Sequence, residues 1–395
     1  MIEAVVGGHI CLDIIPQFLS SAGGEMGDYV APGRLTEVGV VALSSGGAVS
    51  NTGINLHHLG IETRLMGKIG DDLFGHAILD IVRSYSVQLA EGMVVVPGEV
   101  SSCTIVVNPP GVDRAFLTCP GANHTFGVAD VRYDLLAEAR LYHFGYPPLM
   151  RRMYSDGGAE LAEMFARAKA TGVTTSLDLA MPDPAAPSGQ VDWRAALRTA
   201  LPHVDLCVPS VEEVLFMLHR EQFDALDRAV GAAGMLEALE VATVRSLAEE
   251  VLGMGARVVL LKLGTRGMYL RTATELPCLG RGTPQGLAGW RGRELWGVPF
   301  RPRIVASTVG AGDAAIAGFL AAWLKGVSPA QALHMAAAAG ASCVEEAGAV
   351  RGVRNWQETL ARIAAGWARL PVARPAAGWE WDEQAAIWRG PADSG

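Results

Sequence analysis

Ser307-Thr308-Val309-Gly310-Ala311-Gly312-Asp313-Ala314-Ala315 stands near the C-terminal end of this 395-residue chain and runs directly into an apolar, alanine-rich segment. Gly310 to Gly312 can bring bare backbone N–H groups to the mouth of a helix, where the dipole favours an anion. Asp313 falls in the first helical turn, where a carboxylate is stabilised and can take a proton from a hydroxyl. A phosphate-holding turn beside an alcohol-activating acid is what phosphoryl transfer requires. Two other readings compete. Asp at a helix start is often only a cap. Gly310, Gly312 and Ala315 also fit the dinucleotide pattern Gly-x-Gly-x-x-Ala, which makes an NAD-dependent oxidoreductase the rival. Against that rival, Asp313 would face the pyrophosphate, and no acid stands about 20 residues on to meet a ribose.

A second constellation lies early in the chain. It reads Ser45-Gly46-Gly47-Ala48-Val49-Ser50-Asn51, then Leu59-Gly60, then Gly67-Lys68-Ile69-Gly70-Asp71-Asp72-Leu73-Phe74-Gly75. Paired glycines let a polyol approach the backbone closely. The side chain of Asn51 offers both donor and acceptor, which suits a vicinal diol. Asp13 closes the apolar stretch that follows Gly7-Gly8.

Together these segments resemble the two signatures of the PfkB (ribokinase-like) carbohydrate kinases, in the right order and over residues 2–370. The first signature reads Gly-Gly-x-x-x-Asn and the second Asp-Thr-x-Gly-Ala-Gly-Asp-Ala-Phe. Ser307 replaces the first Asp of the second signature, and Ala315 replaces its Phe. The resemblance implies that Asp313 is the base and that Gly310, Ala311 and Gly312 form the anion hole. It implies that Asp13, Gly46, Gly47 and Asn51 hold a sugar or related polyol. Ser210 and Glu213 resemble the family's Asn-x-x-Glu, with Ser210 in place of Asn. That implies a nucleotide contact for Ser210 and a Mg²⁺ role for Glu213. Lys262, Gly264 and Gly267 resemble the strand and turn that approach ATP, and Thr308 belongs with them. The departures, Ser210, Lys262 and Ser307, gather on the metal and nucleotide side.

Bulk properties limit the alternatives. The net charge is −9, whereas nucleic acid and anionic membranes demand a basic footprint. Half of the residues are apolar, enough for a sizeable core. The six cysteines form no Cys-x-x-Cys and sit in or beside apolar runs, so buried reduced thiols are expected. No His-Glu-x-x-His and no Gly-x-x-x-x-Gly-Lys-Ser/Thr occurs. The longest apolar run, residues 314–324, is too short to span a bilayer. With no basic leader at the N-terminus, a cytoplasmic location is expected.

From residue 141 onward strands and helices alternate. Strands are expected at 141–144, 174–178, 206–208 and 258–262, and helices at 158–171, 193–201, 211–218 and 244–252. Earlier, a strand is expected at 2–7, a helix at 50–59, a single strand at 63–69 and a helix at 73–86. Strands 101–108 and 115–119 read as a hairpin joined by residues 109–114. Alternation of this kind argues for a mostly parallel sheet with helices on both faces. The expected fold is α/β, a ribokinase-like three-layer sandwich over residues 1–370. The resemblance adds a small β lid from about 14–43 and 95–121, which offers a face for a homodimer. The glycine- and arginine-rich segment 280–297 reads as a surface insertion. The tail 371–395 carries three tryptophans and is expected to dock. The function that follows is transfer of the ATP γ-phosphoryl group to a sugar or polyol hydroxyl. A nucleoside kinase of the same family and a non-catalytic sugar-binding member stand as alternatives beside the oxidoreductase.

Overall fold

Successive residues of the strand Ala4–Gly8 face opposite ways: Ala4 and Val6 belong to one apolar cluster, Val5 to another. The strand Val258–Lys262 does the same, with Val258 and Leu260 on one side and Val259 and Leu261 on the other. A strand buried on both faces needs helices on both faces. The computed structural model describes residues 1–19, 25–112, 115–371 and 373–395. It places the helices Gly47–His58, Leu73–Tyr85, Ala311–Leu324 and Pro329–Cys343 over the first cluster. The helices Ala159–Ala170, Trp193–Ala200, Val211–Leu218 and Val241–Gly253 cover the second.

The central sheet has ten strands. Six are parallel, in the spatial order Thr63–Met66, Ala4–Gly8, Leu141–Gly145, Thr174–Leu177, Leu206–Cys207, Val258–Lys262. Beyond Val258–Lys262 the pairing turns antiparallel, through Met268–Thr272, Glu294–Gly297, Ile387–Arg389 and Glu380–Asp382. A separate four-stranded sheet is built from Val38–Gly46, Cys11–Phe18, Cys103–Val107 and Ala115–Cys119. Among the described residues no helix is long and apolar enough to cross a membrane.

Several expectations need correcting. Residues 63–69 are two strands: Lys68–Gly70 leaves the main sheet after Gly67 and pairs with Val94–Val96. The segment around Val95 therefore lies outside the small sheet, which begins at Cys11 and so includes Asp13 mid-strand. The hairpin turn is described through Val112; Asp113 and Arg114 lie outside the described residues. The helical segment Arg220–Ala238, broken at Gly231 (φ 69°, ψ 167°), is a further addition to the expected elements, because it buries little and lacks a strong apolar stripe. Segment 280–297 is no surface insertion. It ends in the sheet strand Glu294–Gly297, and Trp290 and Trp296 are buried. Trp290 packs edge-on against Phe319 and Trp323 of the glycine-turn helix. Burying a side chain of that size contributes about 1.5–3 kcal/mol, enough to pull a glycine-rich segment inward. All six cysteines are free, yet Cys119 and Cys278 are exposed rather than buried.

Candidate active site

Gly310 caps the helix Ala311–Leu324 with φ 75°, in the left-handed region. A Cβ there would meet the Cβ of Ala349 at 2.3 Å, so both conformation and space demand glycine. The turn places Asp313 in the first helical turn, buried with its carboxylate among three donors. The Asn51 amide donates to Oδ2 at 2.9 Å and the Thr52 hydroxyl to Oδ1 at 3.4 Å. The Tyr146 hydroxyl lies 2.8 Å from both oxygens. Burial raises the Asp313 pKa above the ordinary aspartate value, against the hydrogen bond from Asn51, the field of Lys262 and the bonds from Tyr146 and Thr52. An acid so placed is a stronger base than a solvated aspartate.

Asn51 and Thr52 reach Asp313 from the buried helix Gly47–His58. Gly46 caps that helix beneath Asp13, and a Cβ at Gly46 would lie 2.3 Å from Asp13 Oδ2. Gly47 follows with φ 85°, close against His9. The early glycine pair thus seats Asp13 at one end of a helix whose first turns carry Asn51 to Asp313. Burial pushes the Asp13 pKa up to about 6, and the Cys11 thiol donates to its Oδ1 at 3.2 Å.

Lys262 ends a central strand and reaches Asp178 Oδ1 at 2.8 Å. Its side chain is 13% exposed and that of Asp178 is 1% exposed, so the ion pair is largely buried. Burial works against the lysine charge, but Asp178, Glu213 and Asp313 outweigh it and raise its pKa. Burial pushes the Asp178 carboxyl upward, with Lys262 opposing. Ser210 and Glu213 form a capping box at the head of Val211–Leu218, where Glu213 Oε2 accepts from the Ser210 N–H at 2.8 Å. Ser307 Oγ accepts from the Val309 N–H at 3.2 Å, tightening the approach to the glycine turn.

Two cavities meet here. A polar one of about 380 Å³ is lined by Tyr146, Asp178, Ser210, Glu212, Glu213, Gly310 and Asp313, among others. An apolar cleft of about 430 Å³ runs past Gly267, Phe300, Thr308, Ala311, Ala337 and Val344. Lys262, Gly264 and Gly312 line both. A flat apolar body joined to a polyanion matches that pair of shapes. The polar cavity sets four carboxyl groups, Asp178, Glu212, Glu213 and Asp313, around one ammonium, that of Lys262. Among the described residues no group of three or more His, Cys, Asp or Glu side chains forms a ready-made metal cage. Magnesium needs none, since it keeps its waters and uses one or two carboxylates with substrate phosphates.

Tyr146, Asp178 and Thr52 were not picked out from sequence. Tyr146 and Asp178 directly follow the parallel strands Leu141–Gly145 and Thr174–Leu177. The carboxyl ends of parallel strands are where such sheets bind ligands, and that placement was the available signal.

A family model described as pfkB family carbohydrate kinase matches residues 4–356. Fructokinase-2 of Oryza sativa subsp. japonica is 28% identical over 214 residues, 53% of this chain and 62% of that protein, so the chain spans less than two thirds of it. An uncharacterized sugar kinase of Archaeoglobus fulgidus is 25% identical over 300 residues, 76% of this chain and 98% of that one. The crystal structure of a fructokinase with bound ATP from Xylella fastidiosa superposes with a TM-score of 0.66 at 20% identity, covering 92% of this chain and 99% of that one. At that identity the likeness establishes a shared fold, the three-layer sandwich described above.

Proposed function

The chain belongs to the pfkB family of carbohydrate kinases, and from that premise we propose that it transfers the γ-phosphoryl group of ATP to a hydroxyl of a sugar or related polyol. The observation that carries this reading is Asp313: a buried carboxylate with a raised pKa, at a glycine turn where an apolar cleft meets a polar cavity. In the reaction Asp313 takes the proton of the acceptor hydroxyl as its oxygen attacks the γ-phosphorus. The bond from that phosphorus to the bridging oxygen breaks, and ADP leaves. The N–H groups of Gly310, Ala311 and Gly312, at the positive end of the helix, hold the transferring phosphoryl group. Asp13, Gly46, Gly47 and Asn51 hold the acceptor. The adenine takes the apolar cleft beside Gly264, Gly267 and Thr308, and Lys262 and Ser210 face the phosphates. Glu213 is the side chain that would hold hydrated Mg²⁺, which when bound neutralises charge across the β- and γ-phosphates.

The test is ADP release against a panel of sugars, polyols and nucleosides with Mg²⁺, beginning with fructose, which names two of the relatives. Asp313→Asn should lower kcat by about 10²–10⁴-fold, the usual worth of a positioned base, while acceptor binding persists. Turnover of Asp313→Asn near the wild-type rate would remove Asp313 from this role. A panel phosphorylated only on nucleosides would move the assignment to the nucleoside branch.

A further inference from the structure

A carboxylate offers about four lone-pair positions. At Asp313 three donors face them: the Tyr146 hydroxyl, whose single proton is shared between both oxygens, the Asn51 amide and the Thr52 hydroxyl. The Tyr146 oxygen, 2.8 Å from both carboxylate oxygens, fills the approach that bridges them. The tyrosine hydroxyl makes the contact that an acceptor alcohol must make to give up its proton. We propose that Tyr146 caps Asp313 in the resting enzyme, is displaced by the hydroxyl of the acceptor, and thereby tunes acceptor affinity and suppresses hydrolysis of ATP by water. This rests on Asp313 being the base.

Two further observations support displacement rather than a fixed contact. Tyr146 precedes Pro147, a position that ordinarily takes extended backbone, yet it sits at φ 66°, ψ 44°. Non-glycine residues held there cluster at switch and ligand-clamp positions. Its side chain also lines the polar cavity, so the ring has open space beside it. Burial, followed by the charges of Asp313 and Asp178, raises the phenol pKa well above its ordinary value, so the group stays protonated and donates.

With the cap gone, a water oxygen can attack the γ-phosphorus. The bond to the bridging oxygen breaks, the water proton passes to Asp313, and ADP and inorganic phosphate leave. The experiment compares the full-length wild type, Tyr146→Phe and Asp313→Asn, measuring phosphate release without acceptor, acceptor KM, kcat and the pH profile. Tyr146→Phe should raise acceptor-independent phosphate release and lower acceptor KM, each by about tenfold, as loss of one competing charge-assisted hydrogen bond implies. The acid limb of its kcat/KM profile should move to higher pH, because the Tyr146 hydrogen bond is one of the groups holding the Asp313 pKa down. The other titratable groups around the pair, Asp178, Glu213, Lys262, His9 and Cys343, are unchanged by the substitution. Tyr146→Gly, which takes left-handed backbone freely, should shift KM and phosphate release the same way and covers a folding failure of the first variant. A lower kcat with unchanged KM and unchanged phosphate release would make Tyr146 a positioning residue and overturn the cap. If Asp313→Asn is inactive while Tyr146→Phe matches wild type, the cap alone fails. If Asp313→Asn turns over normally, the base assignment fails and the cap with it.

Discussion

Asp13 and Asp313 are both acids raised by burial, but their neighbours differ. Asp313 has three donors and the field of Lys262, whereas among the described residues Asp13 has only the weak Cys11 thiol as a hydrogen-bonded side chain. Asp13 therefore protonates at about pH 6, inside the range of an ordinary assay. A carboxylate accepts hydrogen bonds from sugar hydroxyls, and its protonated form loses half of that capacity. Acceptor KM should rise as pH falls through about 6, with ATP KM following a different profile. Asp13→Asn should hold acceptor KM high and flat across that range, by roughly the 1.5–3 kcal/mol of a charged hydrogen bond. An Asp13→Asn enzyme that keeps the wild-type pH dependence of acceptor KM would place the titration elsewhere. At this scale the sequence was legible where a motif surrounded the residue. Asn51 and Asp313, 262 positions apart, were both marked by glycines and prove to be hydrogen-bonded. Tyr146 and Asp178 carry no local pattern, because a single polar residue after a strand looks like any loop entry. The Asp178–Lys262 pair joins residues 84 apart, and only the strand order brings them together.

Among the elements, the glycine turn separates two requirements that the sequence merges. Gly310 is required by backbone conformation and by Ala349, whereas a Cβ on Gly312 would meet nothing nearer than the Lys262 ammonium at 3.8 Å. Gly310→Ala should therefore cost stability, about 1–2 kcal/mol for the left-handed backbone plus the clash, and displace the N–H groups behind it. Gly312→Ala should leave the melting temperature nearly unchanged yet weaken ATP, because its methyl would stand in the space shared by both cavities. Thermal melts and ATP KM for the two variants check this: equal destabilisation, or unaltered ATP KM in Gly312→Ala, would contradict the division. Strong apolar periods made the helices at 193–200 and 211–218 and the strand at 258–262 legible almost to the residue. The exposed helical segment Arg220–Ala238, broken at Gly231, had no such period, and the split at Gly67 depends on Val94–Val96 arriving as a partner from a distance.

For the whole molecule, alternation from residue 141 accounted for four of the six parallel strands, since each βαβ unit is local in sequence. The antiparallel edge was not legible, because its last two strands come from beyond residue 379 and pair with one that composition alone assigns to the surface. That edge is held by Trp379, fully buried and edge-on to both Tyr269 and Trp296. Glu294 lies beneath it with no solvent exposure, accepting from the Tyr269 hydroxyl at 2.9 Å, the Arg245 guanidinium at 2.7 Å and the Ala392 N–H at 2.7 Å. Removing the last twenty residues or so would strip one donor from a buried carboxylate and expose two aromatic faces. Trp379→Ala alone should cost about 3–5 kcal/mol, the usual loss for a buried tryptophan. Among the described residues none beyond Leu370 lines either cavity, so the folded fraction should keep its ATP and acceptor KM. The measurement is a denaturant melt beside steady-state kinetics on the same preparation. A Trp379→Ala protein of normal stability with altered KM would mean that the tail acts on the site rather than on the sheet. Destabilisation with unchanged KM would fix its role as the cover of the antiparallel end of the sheet, where Glu294–Gly297 pairs with Ile387–Arg389, far from the parallel half that presents Lys262 and Asp178.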